Sequence, residues 1–97
     1  MEGSIERNSL ELQKIRLLNN KPDIKEGDKL YKACVTHETE SDGYIGNAVS
    51  LQIEMISSQS FFLEETRYWR WTVYYKTKEG RIEKCGAGRL DLSKTKR

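Results

Sequence analysis

The sequence predicts a small α+β domain, with an N-terminal helix packed on a mainly antiparallel four-stranded sheet. Three observations predict it. The first segment carries leucines at helical spacing and ends in Asn19-Asn20-Lys21-Pro22. Residues 46–57 alternate apolar and polar side chains, as a half-buried strand does. Residues 67–78 are dominated by aromatic and β-branched side chains, and a turn pair follows them. With 97 residues the chain is long enough to bury one core. It reads as one domain, with residues 1–7 and 93–97 frayed.

The helix is expected over Ser4–Asn20. Leu10, Leu17 and Leu18 share helical spacing, as do Leu12 and Ile15. Asn8 is a candidate cap, with Glu11 three residues on. Pro22 stops the element by biasing Lys21 away from helix. Leu10-Glu11-Leu12 and Ile15-Arg16-Leu17 also alternate, so the segment has a strand reading too. On that reading five strands would form a small barrel of the OB or SH3-like type.

Asp23–Asp28 reads as a polar turn. Lys29–His37 is the first strand, with Tyr31, Ala33 and Val35 on one face. Lys25-Glu26-Gly27-Asp28-Lys29-Leu30, placed before that strand, resembles the opening of SH3-like and Tudor-like barrels. The resemblance spans six residues and carries no site residues with it. Glu38–Gly43 is a loop. In the second strand Val49, Leu51, Ile53 and Met55 share one face, and Ser50, Gln52 and Glu54 the other. Phe61–Glu65 is open between a helical turn and more strand. Arg67–Lys78 is the third strand; Glu79-Gly80 turns it, and Arg81–Cys85 returns as its partner. Gly86-Ala87-Gly88 is expected to mark a bulge or a close backbone approach. Leu90 and Leu92 are placed to finish the sheet.

Composition excludes several function classes. The longest apolar runs are three residues, such as Phe61-Phe62-Leu63, against ~20 for a membrane span. The N-terminal residues lack a basic stretch followed by an apolar one, so the expectation is a cytoplasmic protein. Two cysteines, Cys34 and Cys85, make no disulfide framework. Cys34 and His37 have a Cys-x-x-His spacing that Cys85 could join, but a structural zinc site wants four ligands. No metal and no cofactor are expected. The carboxylate groups Glu38/Glu40/Asp42 and Glu64/Glu65 read as solvated loops, and no nucleophile–base–orienter set is present. The chain reads as a non-enzyme. Gly86-Ala87-Gly88-Arg89 lacks the remaining glycine and lysine of a phosphate loop.

Charge separates along the chain. Residues 1–65 hold seven Lys/Arg against twelve Asp/Glu, a net −5; residues 66–97 hold ten against three, a net +7. The basic last third favours a polyanion partner, unless the two parts neutralise each other in the fold. In the third strand Trp69, Trp71, Val73 and Tyr75 occupy odd positions, the larger and more apolar face, which is assigned inward. Tyr68, Arg70, Tyr74 and Lys76 are then left on the other face. Rings interleaved with cations suit single-stranded nucleic acid: rings stack on bases and cations hold phosphates. Lys78, Arg81, Lys84 and Arg89 extend the set. The expected function is therefore a small non-enzymatic binding module for nucleic acid.

Two further readings stand beside it. Tyr and Arg on a sheet face are ordinary cross-strand pairs, and they are also typical of protein interfaces. The alternative is thus a protein-interaction or inhibitor protein of the phage, mobile-element or immunity type. The same face, or the acidic Glu38–Asp42 loop, would dock the partner. The apolar arc of the N-terminal helix is wider than one sheet face needs. A homodimer through that helix, or cover from the Phe61–Phe62 loop, would use the surplus.

Overall fold

The computed structural model describes residues 2–33, 43–59, 61 and 64–95, with the side chains of the first helix from Ser9 onward and without that of Thr95. Helix α1 spans Glu2–Asn19; strand β1 spans Lys29–Tyr31; β2, Tyr44–Gln59; β3, Glu65–Lys76; and β4, Ile82–Gly86. A 3-10 turn at Ala87–Arg89 and a short helix α2, Leu92–Thr95, complete the order. The sheet order is β1-β2-β3-β4 and the sheet is antiparallel, with one long helix packed on it. The α+β class is the one the sequence predicts.

Contacts divide the chain into two compact units. The first comprises Met1–Lys21 and Ile53–Arg70; the second comprises Pro22–Gln52 and Trp71–Arg97. Strands β2 and β3 contribute to both.

In the first unit, α1 turns Leu10, Gln13, Lys14 and Leu17 toward partial burial. These positions recur every three or four residues and so share one face. Gln13 Oε1 accepts the Trp69 backbone N–H at 2.6 Å, and the Lys14 ammonium sits 4.5 Å from the centre of the Trp69 ring. Trp69 therefore meets the helix, as the inward assignment of the odd positions requires. The helix starts earlier than the Asn8 cap would allow, because the residues from Glu2 onward continue it and leave Asn8 inside. It ends where Asn20 takes over: the Asn20 side chain donates to the Arg16 carbonyl at 2.7 Å and its N–H to the Leu17 carbonyl at 3.1 Å. Phe61 lies in a turn, fully exposed, and so does not wrap the helix; Phe62 and Leu63 lie outside the described residues.

The second unit holds the core. Leu30, Thr72 and Val73 are wholly buried, with Ile24, Ala48, Trp71, Tyr75, Ala87 and Leu90 around them. A turn at Lys25–Asp28 leads into β1: the Asp28 N–H bonds the Lys25 carbonyl and the Asp28 carboxylate accepts the Lys25 N–H. Gly27 supplies its positive φ of 92°. β1 is shorter than the predicted Lys29–His37. Leu30 takes the core position, Tyr31 is half-buried, and the chain bends at an exposed Ala33. Residues 34–37 lie outside the described residues.

β1 pairs with β2 through Lys29↔Asn47, Leu30↔Gly46 and Tyr31↔Tyr44, so the register slips around Ile45. Gly46 and Ala48 are buried while Val49 is exposed, against the expectation that the odd face is the apolar inner one. Gly46 has a φ of 150°, and a Cβ there would lie 2.4 Å from the Lys76 carbonyl oxygen. Only glycine lets β2 pass so close to β3.

After β4 the chain returns to β1. Lys32 and Leu90 form an antiparallel bridge, Ala33 donates to the Arg89 carbonyl, and Asp91 to the Tyr31 carbonyl. Leu90 thus joins strand pairing as expected, whereas Leu92 opens α2. The Gly86-Ala87-Gly88 run ends β4 and enters the 3-10 turn rather than forming a bulge. A Cβ on Gly88 would meet nothing, so no close approach occurs there. No helix among the described residues is long and apolar enough to cross a membrane.

Candidate functional site

The β3–β4 hairpin gathers most of the basic candidates. Its register sets Thr72 opposite Gly86, Val73 opposite Cys85, Tyr74 opposite Lys84, Tyr75 opposite Glu83 and Lys76 opposite Ile82. Thr77 and Arg81 close the hairpin: the Thr77 N–H bonds the Arg81 carbonyl, and the Arg81 N–H bonds the Thr77 hydroxyl at 3.2 Å. Between them Lys78-Glu79-Gly80 make a three-residue loop, with Gly80 at φ 84°.

This register puts Tyr74, Lys76, Ile82 and Lys84 on one face. The Lys84 ammonium stands 6.0 Å from the centre of the Tyr74 ring, at the outer reach of a cation–π contact. Tyr74 is half-buried, and Lys76, Ile82 and Lys84 are exposed. Lys78, Arg81 and Arg89 are exposed as well. The Lys78 ammonium lies 5.5 Å from the ring centre of Tyr44, whose ring is 5.7 Å from that of Tyr31. Tyr44 is oriented by a hydrogen bond from its hydroxyl to Asn47 Oδ1, and Asn47 in turn donates to the Gly27 carbonyl.

On the opposite face Tyr75 is buried, and its hydroxyl is 3.5 Å from the Glu83 carboxylate. Burial, with the nearby Cys85 and Glu83, pushes its phenol above the ordinary tyrosine range. Beside it lies an open cleft of about 610 Å³, whose lining includes Lys32, Tyr75, Lys84, Cys85 and Arg89. Three of these residues are cationic and none is acidic. Cys85 is half-buried.

The eight residues singled out in the sequence do not fall in one unit. Tyr68 and Arg70 belong to the first and are half-buried. Tyr74, Lys76, Lys78, Arg81, Lys84 and Arg89 belong to the second. Nor is the even face of β3 uniformly open. Thr72 is wholly buried between the buried Trp71 and Val73, so the middle of the strand is covered on both faces. The open stretch begins at Tyr74. Sequence reasoning missed Lys32, Tyr31 and Tyr44. Lys32 and Arg89 are 57 positions apart in sequence and meet through the return of the chain to β1. Tyr44 lies before the alternating run that marked β2, so periodicity gave it no role. Cys34, His37 and the acidic stretch Glu38–Asp42 lie outside the described residues.

Comparison with protein-family models, with curated proteins and with solved structures returns no match for this chain.

Proposed function

We propose that the chain is a non-enzymatic binding module that takes single-stranded nucleic acid along the β3–β4 hairpin of the second unit. The cross-strand pair Tyr74–Lys84 carries this reading. It offers a partly exposed ring and an ammonium side by side, with Lys76 adjacent on the same face. A base stacked on such a ring gains ~1–3 kcal/mol, and the neighbouring cations hold phosphates. Lys78, Arg81 and Arg89 extend the positive surface around the hairpin.

Titration of fluorescently labelled single- and double-stranded oligonucleotides at two salt concentrations tests the reading. Binding should weaken by orders of magnitude as salt rises, and should quench Trp or Tyr emission. Lys76→Ala with Lys84→Ala should reduce the salt slope by about two phosphate contacts. Tyr74→Ala should cost ~1–3 kcal/mol of affinity with the slope nearly unchanged. Absence of binding at low salt sinks the proposal.

Ile82 favours a second reading. It is 57% exposed opposite Lys76, on the strand at the edge of the sheet. An apolar side chain among cations suits a protein partner, whose binding would respond far less to salt.

A further inference from the structure

The two faces of α1 differ in what they meet. Leu10, Gln13, Lys14 and Leu17 are half-buried, and Gln13 and Lys14 engage Trp69. Leu12, Ile15 and Leu18, by contrast, are 56%, 53% and 50% exposed. The fully exposed Phe61 gives them no cover from its loop. We propose that this outer face pairs with the α1 of a second copy, parallel and in register.

The spacing supplies the first argument. Leu12 and Ile15 stand three apart, as do the a and d positions of a heptad, and Leu18 takes the neighbouring g position. In the sequence the same 3-4 spacing runs back through Asn8 to Ile5 and forward to Asn19. The half-buried residues then fall at b, c and f, on the far side of the helix. Pairing through a and d leaves the Trp69 contacts intact.

Charge identifies the occupant and its direction. Glu11 and Arg16 are both exposed and flank the apolar seam at g and e. In a parallel pair, g of one helix meets the following e of the other, five residues on. Glu11 of each copy then faces Arg16 of its partner, twice by symmetry. An antiparallel pair would instead set Arg16 against Arg16. A membrane-surface helix would want Lys and Arg along both flanks of its apolar face, and here Glu11 stands on one flank. Asn19, at the next a position, is a residue type that fixes register at a cost in affinity.

At 18 residues the helix is about 27 Å long, roughly two and a half heptads. Isolated helices of this length are marginal. This one is already packed on Trp69, so association need not supply all of that ordering. The interface is small, and association through it is expected to be weak. The inference is independent of the nucleic-acid reading.

Sedimentation equilibrium of the full chain, from about 1 μM to about 1 mM, tests it. The wild type should pass from monomer to dimer over that range. Ile15→Lys should remain monomeric, with circular dichroism and Trp emission unchanged. Glu11→Lys and Arg16→Glu should each weaken the dimer by about tenfold, since two attractive pairs become repulsive. Mixing those two variants should restore wild-type association, because each supplies the charge the other lacks. A wild type that stays monomeric overturns the proposal, as does a dimer indifferent to Ile15→Lys. A mixture no tighter than its components overturns the parallel register.

Discussion

The second unit keeps Leu30, Thr72 and Val73 wholly out of water, whereas the first leaves Leu12, Ile15 and Leu18 about half exposed. Every residue classed as buried among those described belongs to the second unit. In the first, half-buried Leu10, Leu17 and Trp69 are accompanied by the Gln13 bond to the Trp69 backbone and by Lys14 over the Trp69 ring. Burial of apolar area is the larger stabilising term, at roughly 25 cal/mol per Å². Most of the folding free energy should therefore reside in the second unit. The first has apolar surface to spare for association.

The sharpest test of this contrast sets two leucines side by side. Leu30→Ala empties a site with no exposure and should cost about 2–5 kcal/mol. Leu12→Ala, on the outer face of α1, should change stability by no more than about 0.5 kcal/mol at monomeric concentrations. Denaturant unfolding monitored by Trp emission compares them. Equal costs would mean that the two units share stability evenly.

Gly46→Ala probes the second unit by overpacking. The new methyl would press on the Lys76 carbonyl and the Tyr75 ring at a φ that side chains rarely adopt. A loss of about 2–3 kcal/mol is expected, combining strain and clash. A change below about 0.5 kcal/mol would show that β2 and β3 separate easily there.

The smallest effect concerns the first unit and acid. The Ser57 hydroxyl bonds Glu65 at 2.6 Å, and Arg67 lies 3.3 Å from the same oxygen. Together they hold the Glu65 carboxyl below its ordinary range, the Ser57 bond being the largest single cause. A carboxyl lowered by folding stabilises above its unfolded pKa, and that contribution disappears as pH falls through the folded value. Glu65 is fully solvated, so the effect is slight. Ser57→Ala should raise the Glu65 titration midpoint, read by NMR, and leave stability at neutral pH almost unchanged. An unmoved midpoint would remove the Ser57 bond from the account of this unit.

Much of the fold was legible because local signals agreed with the global arrangement. Pro22 ended the helix region, aromatic and β-branched residues marked β3, and Glu79-Gly80 turned the chain back. The odd face of β3 was read as inward because Trp69, Trp71, Val73 and Tyr75 outweigh their neighbours in apolar area. The β2 face was misread at its start because the buried positions there, Gly46 and Ala48, are small residues that add little to a count of apolar side chains, and Gly46 is buried by its close approach to Lys76 and Tyr75. Asn8 was misread because a good capping residue is also tolerated inside a helix when the residues before it continue the turn.

The candidate site divides along the same line. Sequence alone determined the class of chemistry: a basic final third, with tyrosines interleaved among lysines and arginines on a strand, follows from residue order and the period of two. It did not determine the pairing of Tyr74 with Lys84: a two-residue Glu79-Gly80 turn would set Tyr74 opposite Cys85, whereas the three-residue loop Lys78–Gly80 sets it opposite Lys84. Tertiary structure decided the rest. It buried Thr72 and split Tyr68 and Arg70 from Tyr74 and Lys76 between two units. It also brought Lys32 to the cleft beside Arg89. The physical reason is range. Strand period and turn chemistry act over a few residues, whereas burial and the meeting of Lys32 with Leu90 depend on pairings closed across most of the chain.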